Sequence, residues 1–319
     1  MEKVYKKKLA KKERDLFELL PGYVCNANCR FCSLDCERGR IESQTKELLL
    51  SIYQAKKDGF KYLGIGGGEP TIRKDLAKLI SFAKKIGFEI VRIETNGIRL
   101  SYFDYCQDLV KAGLDFVKIS IHGHKAEIHD YLTRVPGSFG KVLQAVDNLQ
   151  KLGVRVEINT VINKKNYRYY SQFVQFFAKR GVGSFCFIYP LYTGKMAKNR
   201  KEIGVRISQV TPYLNKSLQL VDDLELDKAL VFNIPPCCLE KQVGKMVESS
   251  PFNTKVSAPN SVTESVDFER LKSKKKFKRC EKCAYFQSCE GIWTDYLGFF
   301  GEEEFQPACA NRRKIINEK

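Results

Sequence analysis

The chain has 319 residues, 43% of them hydrophobic and 12% aromatic, and 55 Lys and Arg against 37 Asp and Glu give a formal net charge of +18. That apolar content can build a sizeable core and excludes disorder over most of the chain, and the length suits about two domains. No run approaches the roughly 18 apolar residues of a membrane-spanning helix, and the basic start, MEKVYKKKLAKKERD, lacks the apolar stretch of a secretory signal, so the expected setting is cytoplasmic with no membrane partner.

In chain order, LFELLPGYV reads as a first strand. Five amphipathic stretches then end in Gly59, Gly87, Gly113, Gly153 and Gly181, as helices end where glycine takes the left-handed turn. Each is followed by a short run rich in Val, Ile and Phe: FKYLGIG, FEIVRIE, LDFVKISI, VRVEINTVI and VGSFCFIY. Six strands alternating with five helices predict parallel pairing with right-handed crossovers. The pattern suits an open doubly wound sheet or an incomplete barrel, and either puts the active site at the C-terminal strand ends.

Beyond Tyr189-Pro190 the pattern changes. Residues 191–207 read as a basic loop, and a helix is expected from Ser208, its N-cap, to about Leu226. ALVFN reads as a strand ended by Pro235-Pro236, and residues 249–265, rich in Ser, Pro, Asn and Thr, read as a mobile loop. The expected division is a basic segment over 1–14, an α/β core over 15–195, a connecting helix over 196–231 and a cysteine-rich unit over 232–319.

The chain holds 12 cysteines. Without an export signal they point to metal binding or catalysis, not to disulfides. Cys106 and Cys186, isolated in apolar surroundings, read as small buried hydrophobes. Cys25, Cys29 and Cys32 follow the first strand with C-x3-C-x2-C spacing, which fits a four-ligand structural zinc poorly. Three thiolates on a tight loop can hold three irons of a four-iron cluster and leave the fourth open. Cys36 is either a further ligand or a loop thiol. Gly66-Gly67-Gly68-Glu69-Pro70 ends the second strand, where glycines let a ligand approach and expose N–H groups.

Cys25, Cys29, Phe31 and Cys32 after the first strand, with Gly67-Gly68-Glu69-Pro70 after the second, resemble the radical S-adenosylmethionine (SAM) superfamily over roughly residues 15–195. The resemblance implies a partial (βα)6 TIM-type barrel. It implies that Cys25, Cys29 and Cys32 bind a [4Fe–4S] cluster whose open iron is chelated by the methionine moiety of SAM. Gly67, Gly68, Glu69 and Pro70 then bind the methionine amino group, and Phe31 lies near the adenine. Reductive cleavage yields a 5′-deoxyadenosyl radical that abstracts hydrogen from a substrate, with a flavodoxin or ferredoxin as electron donor. Thr95 and Asn96 at the end of the third strand, Ser120 ending the fourth, and Asn159 with Thr160 in the fifth are either SAM contacts or strand-end polar residues. His122, His124 and His129 form H-x-H-x4-H and read as a metal site, a substrate contact or structural groups; Arg134 could pair with a carboxylate or phosphate.

Cys280, Cys283 and Cys289, spaced C-x2-C-x5-C, resemble the SPASM or twitch extension of these enzymes, which carries auxiliary [4Fe–4S] clusters. The full pattern has a further cysteine where this chain has Trp293, and upstream there is only the adjacent pair Cys237-Cys238. One auxiliary cluster is therefore expected, with Cys237 or Cys309 as fourth ligand and Cys238 as a bystander; four thiolates also suit zinc. The substrate expected from this extension is a peptide or protein side chain, although only about 14 residues precede the first strand. The alternatives are a nucleotide, RNA or cofactor precursor, and a non-catalytic iron–sulfur or zinc scaffold. Basic clusters at Lys6–Lys12, Lys195–Lys201, Lys272–Arg279 and Arg312–Lys314 admit a nucleic-acid partner, but a lysine-rich solvated surface is the favoured account of the charge.

Overall fold

The computed structural model describes residues 15–34, 42–246 and 254–308. Six strands alternate with helices as expected: β1 (Leu16–Leu19), β2 (Tyr62–Ile65), β3 (Ile90–Thr95), β4 (Phe116–Ser120), β5 (Arg155–Val161) and β6 (Ser184–Ile188). The intervening helices are α1 (Thr45–Lys57), α2 (Leu76–Lys85), α3 (Phe103–Lys111), α4 (Ala126–Thr133), α5 (Ser138–Lys151) and α6 (Tyr170–Ala178). α4 is the addition to the expected five. It fills the histidine-bearing connection after β4 and ends at Arg134 in the left-handed region (φ 59°). All five glycines read as helix ends have positive φ.

These strands pair in parallel in the order β6-β5-β4-β3-β2-β1, the partial TIM-type barrel of an α/β fold. ALVFN is indeed a strand: β7 (Lys228–Phe232) pairs in parallel with β6 and extends that edge. The opposite edge corrects the sequence reading. Within residues 249–265, β8 (Lys255–Ala258) pairs in parallel with β1, and β9 (Ser261–Thr263) folds back antiparallel to β8. Their Ser and Thr content hid two strands whose stability comes from the open edge of β1, a long-range partner that local composition does not report. Between β8 and β9, Asn260 takes the left-handed turn that the Pro-Asn signal does mark (φ 59°).

Residues 191–207 are also more ordered than a loop. They form α7 (Gly194–Lys198) and α8 (Arg200–Ile203). The next helix, α9 (Ile207–Asp223), has Arg206, not Ser208, at its N-cap position, where the Arg206 N–H donates to Gln209 Oε1 (3.3 Å); the Ser208 N–H donates to Glu304 Oε2 at 2.7 Å. The C-terminal part adds α10 (Val266–Lys272), a short antiparallel ribbon of β10 (Lys274–Lys275) and β11 (Ile292–Trp293), and α11 (Thr294–Phe300).

Alternation divides each barrel strand. Val91, Ile93 and Ile119 join the helices in one apolar core. The opposite face carries charge: Arg92 pairs with Glu18 and with Glu94 (2.8 Å), Lys118 with Glu157 (3.2 Å), and Lys228 with the other oxygen of Glu157 (2.8 Å). Glu157 is fully buried, so burial alone would raise its carboxyl, but Lys118 and Lys228 outweigh that and hold it below the usual range. Cys106 and Cys186 are buried, and burial pushes both thiols up, Cys106 to about 11; Cys106 joins the apolar core as expected, whereas Cys186 lies in the charged layer near Lys118 and Glu157, not in apolar surroundings. Among the described residues no helix is long and apolar enough to cross a membrane.

Candidate functional site

The loop after β1 carries Cys25, Cys29 and Cys32, all half-buried. It has little secondary structure of its own and is held from outside. The N–H groups of Asn28 and Arg30 donate to the Thr133 and Leu132 carbonyls at the end of α4 (3.1 and 2.8 Å). From the other side the Lys195 N–H donates to the Cys32 carbonyl (2.9 Å), and Asn199 Nδ2 donates to that of Arg30 (2.8 Å). The Lys195 ammonium also reaches the Asn28 side chain. Gly194 makes this approach possible. Its φ is +54°, and a Cβ there would stand 2.6 Å from the Cys32 carbonyl oxygen. Sequence reading missed Gly194, Lys195 and Asn199. A Thr-Gly pair inside a basic run was the available signal, but nothing local says what it touches.

The Gly67-Gly68-Glu69-Pro70 turn lies against the entry to that loop. The Gly68 and Glu69 N–H groups donate to the carbonyls of Gly22 and Val24 (2.9 and 2.8 Å). This corrects the expectation of exposed N–H donors: both are spent on the segment leading into Cys25. A Cβ on Gly68 would meet the Val24 oxygen at 2.2 Å, so the close backbone approach serves the loop. Glu69, 3% exposed, is a hub. Its Oε1 accepts from Thr71 N (3.0 Å), Thr71 Oγ1 (2.6 Å) and Thr95 Oγ1 (2.6 Å), and its Oε2 accepts from Asn96 N (2.6 Å). Burial nonetheless raises the Glu69 carboxyl. Pro70 is buried and opens a short 3-10 turn.

Asn96 joins the motifs. Its Nδ2 donates to Asn26 Oδ1 (2.7 Å) and approaches the Cys25 sulfur (3.8 Å). Ser120 sits directly across from Asn159, and Asn159 across from Cys186, on the polar face of the sheet. Asn159 is 8% exposed, and its Oδ1 has no hydrogen-bond partner among the described residues. An orphaned buried acceptor in this layer suits a ligand hydroxyl or amine. Thr95, by contrast, is committed to Glu69 and to the Gly97 N–H (3.0 Å).

Phe31 packs edge-on against His122, ring centroids 4.3 Å apart. His122 Nδ1 accepts the Val161 N–H, and His129 Nδ1 accepts the His122 N–H, both at 3.2 Å. Burial lowers both imidazoles, His129 to about 4, and His122 well below its usual value with the neighbouring His129 adding to the effect, so both are neutral near pH 7. The histidines thus do not converge as a metal site: two are hydrogen-bonded structural groups, and His124 lies apart, 5.8 Å from the Tyr169 ring. Arg134 is exposed on the same side as Arg30 and Tyr131.

The second cysteine set comes from three segments. A 3-10 turn at Pro236–Cys238 follows Pro235, another spans Lys278–Lys282, and Cys289 precedes β11. Cys237, Cys280, Cys283 and Cys289 line one cavity with Phe286 and Phe305, about 410 Å3 of empty space with its mouth included. The sulfurs of Cys280, Cys283 and Cys289 accept the N–H groups of Phe277, Ala308 and Gly291 (3.4, 3.4 and 3.3 Å). Such donors suit thiolate ligands. Burial pushes the Cys289 thiol up to about 11. The adjacent Glu290 is clamped by Arg270 (2.6 Å) and Lys274 (2.8 Å). Cys238 packs against the core instead. Cys36, Cys309 and the basic stretches 1–14 and 312–314 lie outside the described residues. Among the described residues no three His, Cys, Asp or Glu side chains converge on a single-ion site; the ligands of an iron–sulfur cluster bind separate irons.

Residues 19–177 match the radical SAM superfamily. A curated relative from Saccharolobus solfataricus, a "Probable GTP 3′,8-cyclase", is 32% identical over 179 residues, 55% of this chain and 57% of that protein. One of the same name from Sulfolobus acidocaldarius is 29% identical over 202 residues, 63% of each. The chain thus matches less than two thirds of the length of either relative. The structure of Streptococcus suis SuiB bound to S-adenosylmethionine is similar with a TM-score of 0.69 at 16% identity, covering 95% of this chain and 79% of that one. anSMEcpe with bound AdoMet and Kp18Cys peptide gives 0.68 at 18%, covering 95% and 96%. At these identities the likeness is one of fold.

Proposed function

The chain belongs to the radical SAM superfamily through residues 19–177, and from that premise we propose that it is an enzyme that cleaves SAM reductively and acts on a nucleotide or cofactor-precursor substrate. The observation that carries the first half is the meeting of the two motifs. The turn at Gly67–Pro70 is laced to the loop of Cys25, Cys29 and Cys32, and Asn96 bonds to both Glu69 and Asn26.

Cys25, Cys29 and Cys32 would hold a [4Fe–4S] cluster with one iron open to SAM. The Gly68 and Glu69 N–H groups are already bonded, so the turn offers carbonyl acceptors, which suit the ammonium of the methionine moiety. Asn159 Oδ1 offers a buried acceptor to a SAM or substrate hydroxyl, and Phe31 offers an apolar surface beside it. When bound, the cluster supplies the electron that splits the sulfonium and frees a 5′-deoxyadenosyl radical to take a substrate hydrogen. The four-thiol cavity would hold an auxiliary iron–sulfur cluster through Cys237, Cys280, Cys283 and Cys289, with Cys309 the other candidate for the fourth place.

The curated relatives named as probable GTP cyclases support the substrate class. A second reading, a peptide substrate, is favoured by coverage: anSMEcpe with its bound peptide aligns with 95% of this chain. The test is anaerobic turnover of the reconstituted, dithionite-reduced protein. 5′-Deoxyadenosine is expected, with deuterium transferred to it from labelled GTP or a related nucleotide. Transfer from a labelled peptide with none from nucleotides would instead establish the second reading, and no SAM cleavage at all would leave only a scaffold.

A further inference from the structure

Reductive cleavage consumes one electron per event, and over repeated turnovers that electron is renewed by an external donor. It must enter near the cysteine loop. The loop is covered at its Cys32 end by α7 and α8, through Lys195 on Cys32 and Asn199 on Arg30. The face those helices turn to solvent is cationic. Lys198, Arg200 and Lys201 are exposed on it, and beside them stand Arg134 and Lys165, also exposed. Arg30, Lys165 and Arg134 all act on Glu202 of α8, and Arg30 pairs with it at 3.2 Å. Of the carboxylates described on this face two are committed, and Glu127 stands exposed among the cations. Glu202 is bonded to Arg30 and Tyr131, and Asp130 accepts from Gly137 N and Phe139 N (2.7 and 2.8 Å). Asn96 and the Gly67–Pro70 turn, by contrast, reach the loop from its Cys25 end. The SAM-facing layer and the cationic face therefore address different ends of the same loop.

We propose that this face, built by α7, α8, Arg30, Arg134 and Lys165, is the docking surface for a small acidic one-electron carrier protein. The inference rests on the reading of the chain as a SAM-cleaving enzyme. In the encounter the carrier's reduced centre loses one electron and the cluster held by Cys25, Cys29 and Cys32 gains it; no bond forms or breaks and no proton moves. A cationic face concentrates an acidic partner and speeds its encounter by about tenfold or more, an effect that weakens with salt.

The test is the double variant Lys198→Glu/Lys201→Glu, compared with the parent as reconstituted holoprotein. Two electron sources are used, flavodoxin hydroquinone and dithionite, and flavodoxin binding is measured separately against ionic strength. The expected result is an at least about fivefold loss of flavodoxin-driven 5′-deoxyadenosine formation at low salt, weaker flavodoxin binding with a shallower salt slope, and unchanged dithionite-driven cleavage. Unchanged flavodoxin binding would overturn the proposal. So would a raised KM for substrate under dithionite with flavodoxin binding intact, since the face would then serve an anionic substrate. If the parent cleaves no SAM with dithionite, the enzymatic reading fails by itself, and the binding arm still decides whether the face takes an acidic carrier.

Discussion

The two cysteine sets are held in opposite ways. The N-terminal loop contributes three thiols from one short segment, and its main-chain groups are tied to the Gly67–Pro70 turn, the end of α4, α7 and α8. The C-terminal set draws four thiols from three segments around one cavity with aromatic walls, and three of its sulfurs accept main-chain N–H groups. A site that must leave one coordination position open cannot rely on its metal to hold the protein, so the protein holds the loop. An enclosed four-thiol site can be organised by what it binds, because metal-binding free energy is also folding free energy.

That contrast is most directly broken with single cysteine changes. Cys29→Ala is expected to abolish SAM cleavage and to remove about half of the iron, because a loop with two thiols cannot anchor an open-site cluster. The check is iron and sulfide quantitation beside chromatography of 5′-deoxyadenosine; persistent turnover would show that another set is catalytic. Cys283→Ala should do the reverse. It should lose the other half of the iron and much of the local stability, yet still produce 5′-deoxyadenosine. Zinc in place of the second half of the iron in the parent would make the cavity a structural zinc site.

A smaller effect isolates the external clamp. Gly194→Val places a branched side chain at φ +54° and a Cβ 2.6 Å from the Cys32 oxygen, a strain of about 1–3 kcal/mol. The N-terminal set should retain less iron and cleave SAM several-fold more slowly, with the C-terminal set unchanged. Gly244→Ala is the control, since a Cβ there meets nothing within 4 Å. Equal iron loss from both sets after Gly194→Val would mean that the strain spreads through the fold and is no clamp on one loop.

The barrel and both cysteine motifs were legible because each is written locally: short runs rich in Val, Ile and Phe, glycine-ended helices, and thiols at fixed spacing. The strands β8 and β9 were not, because Ser257 and Ser261 look like loop residues until β1 is beside them. The clamp was invisible for the same reason, since Lys195 and Asn199 act on residues about 165 positions earlier. The exposed N–H groups expected of Gly68 and Glu69 failed for a different reason. The glycines do permit a close approach, but the partner is the chain's own Gly22 and Val24. The histidine spacing offered three readings, and only the geometry of Nδ1 on two main-chain N–H groups favours the structural one.

Acid sharpens the comparison at the lowest energy. The N-terminal loop leans on α4, whose last carbonyls hold Asn28 and Arg30 and whose His129 is buried and neutral. Burial lowers His129 from 6.5 to about 4. The unfolded chain therefore takes up a proton before the folded one does, and stability falls as the pH drops from about 6.5 to about 4, by up to about 3 kcal/mol. His122 adds to this in the same direction. Behind the C-terminal cavity the sign is the same but the window is lower. Burial would raise Glu290, but Arg270 and Lys274 outweigh it and hold it below 4.5, so its stabilisation is present above the unfolded value and is lost only as the pH falls through the lowered one. Corrected for the slower intrinsic exchange at acid pH, the amide protection of the α4 segment should therefore be lower at pH 5 than at pH 7.5, while that of residues 266–296 should not. His129→Asn keeps an acceptor for the His122 N–H without an ionisable ring, so it should flatten the fall of Tm between pH 6.5 and 5. Equal acid sensitivity in both segments, or an unaltered Tm profile in His129→Asn, would place the acid response elsewhere in the fold.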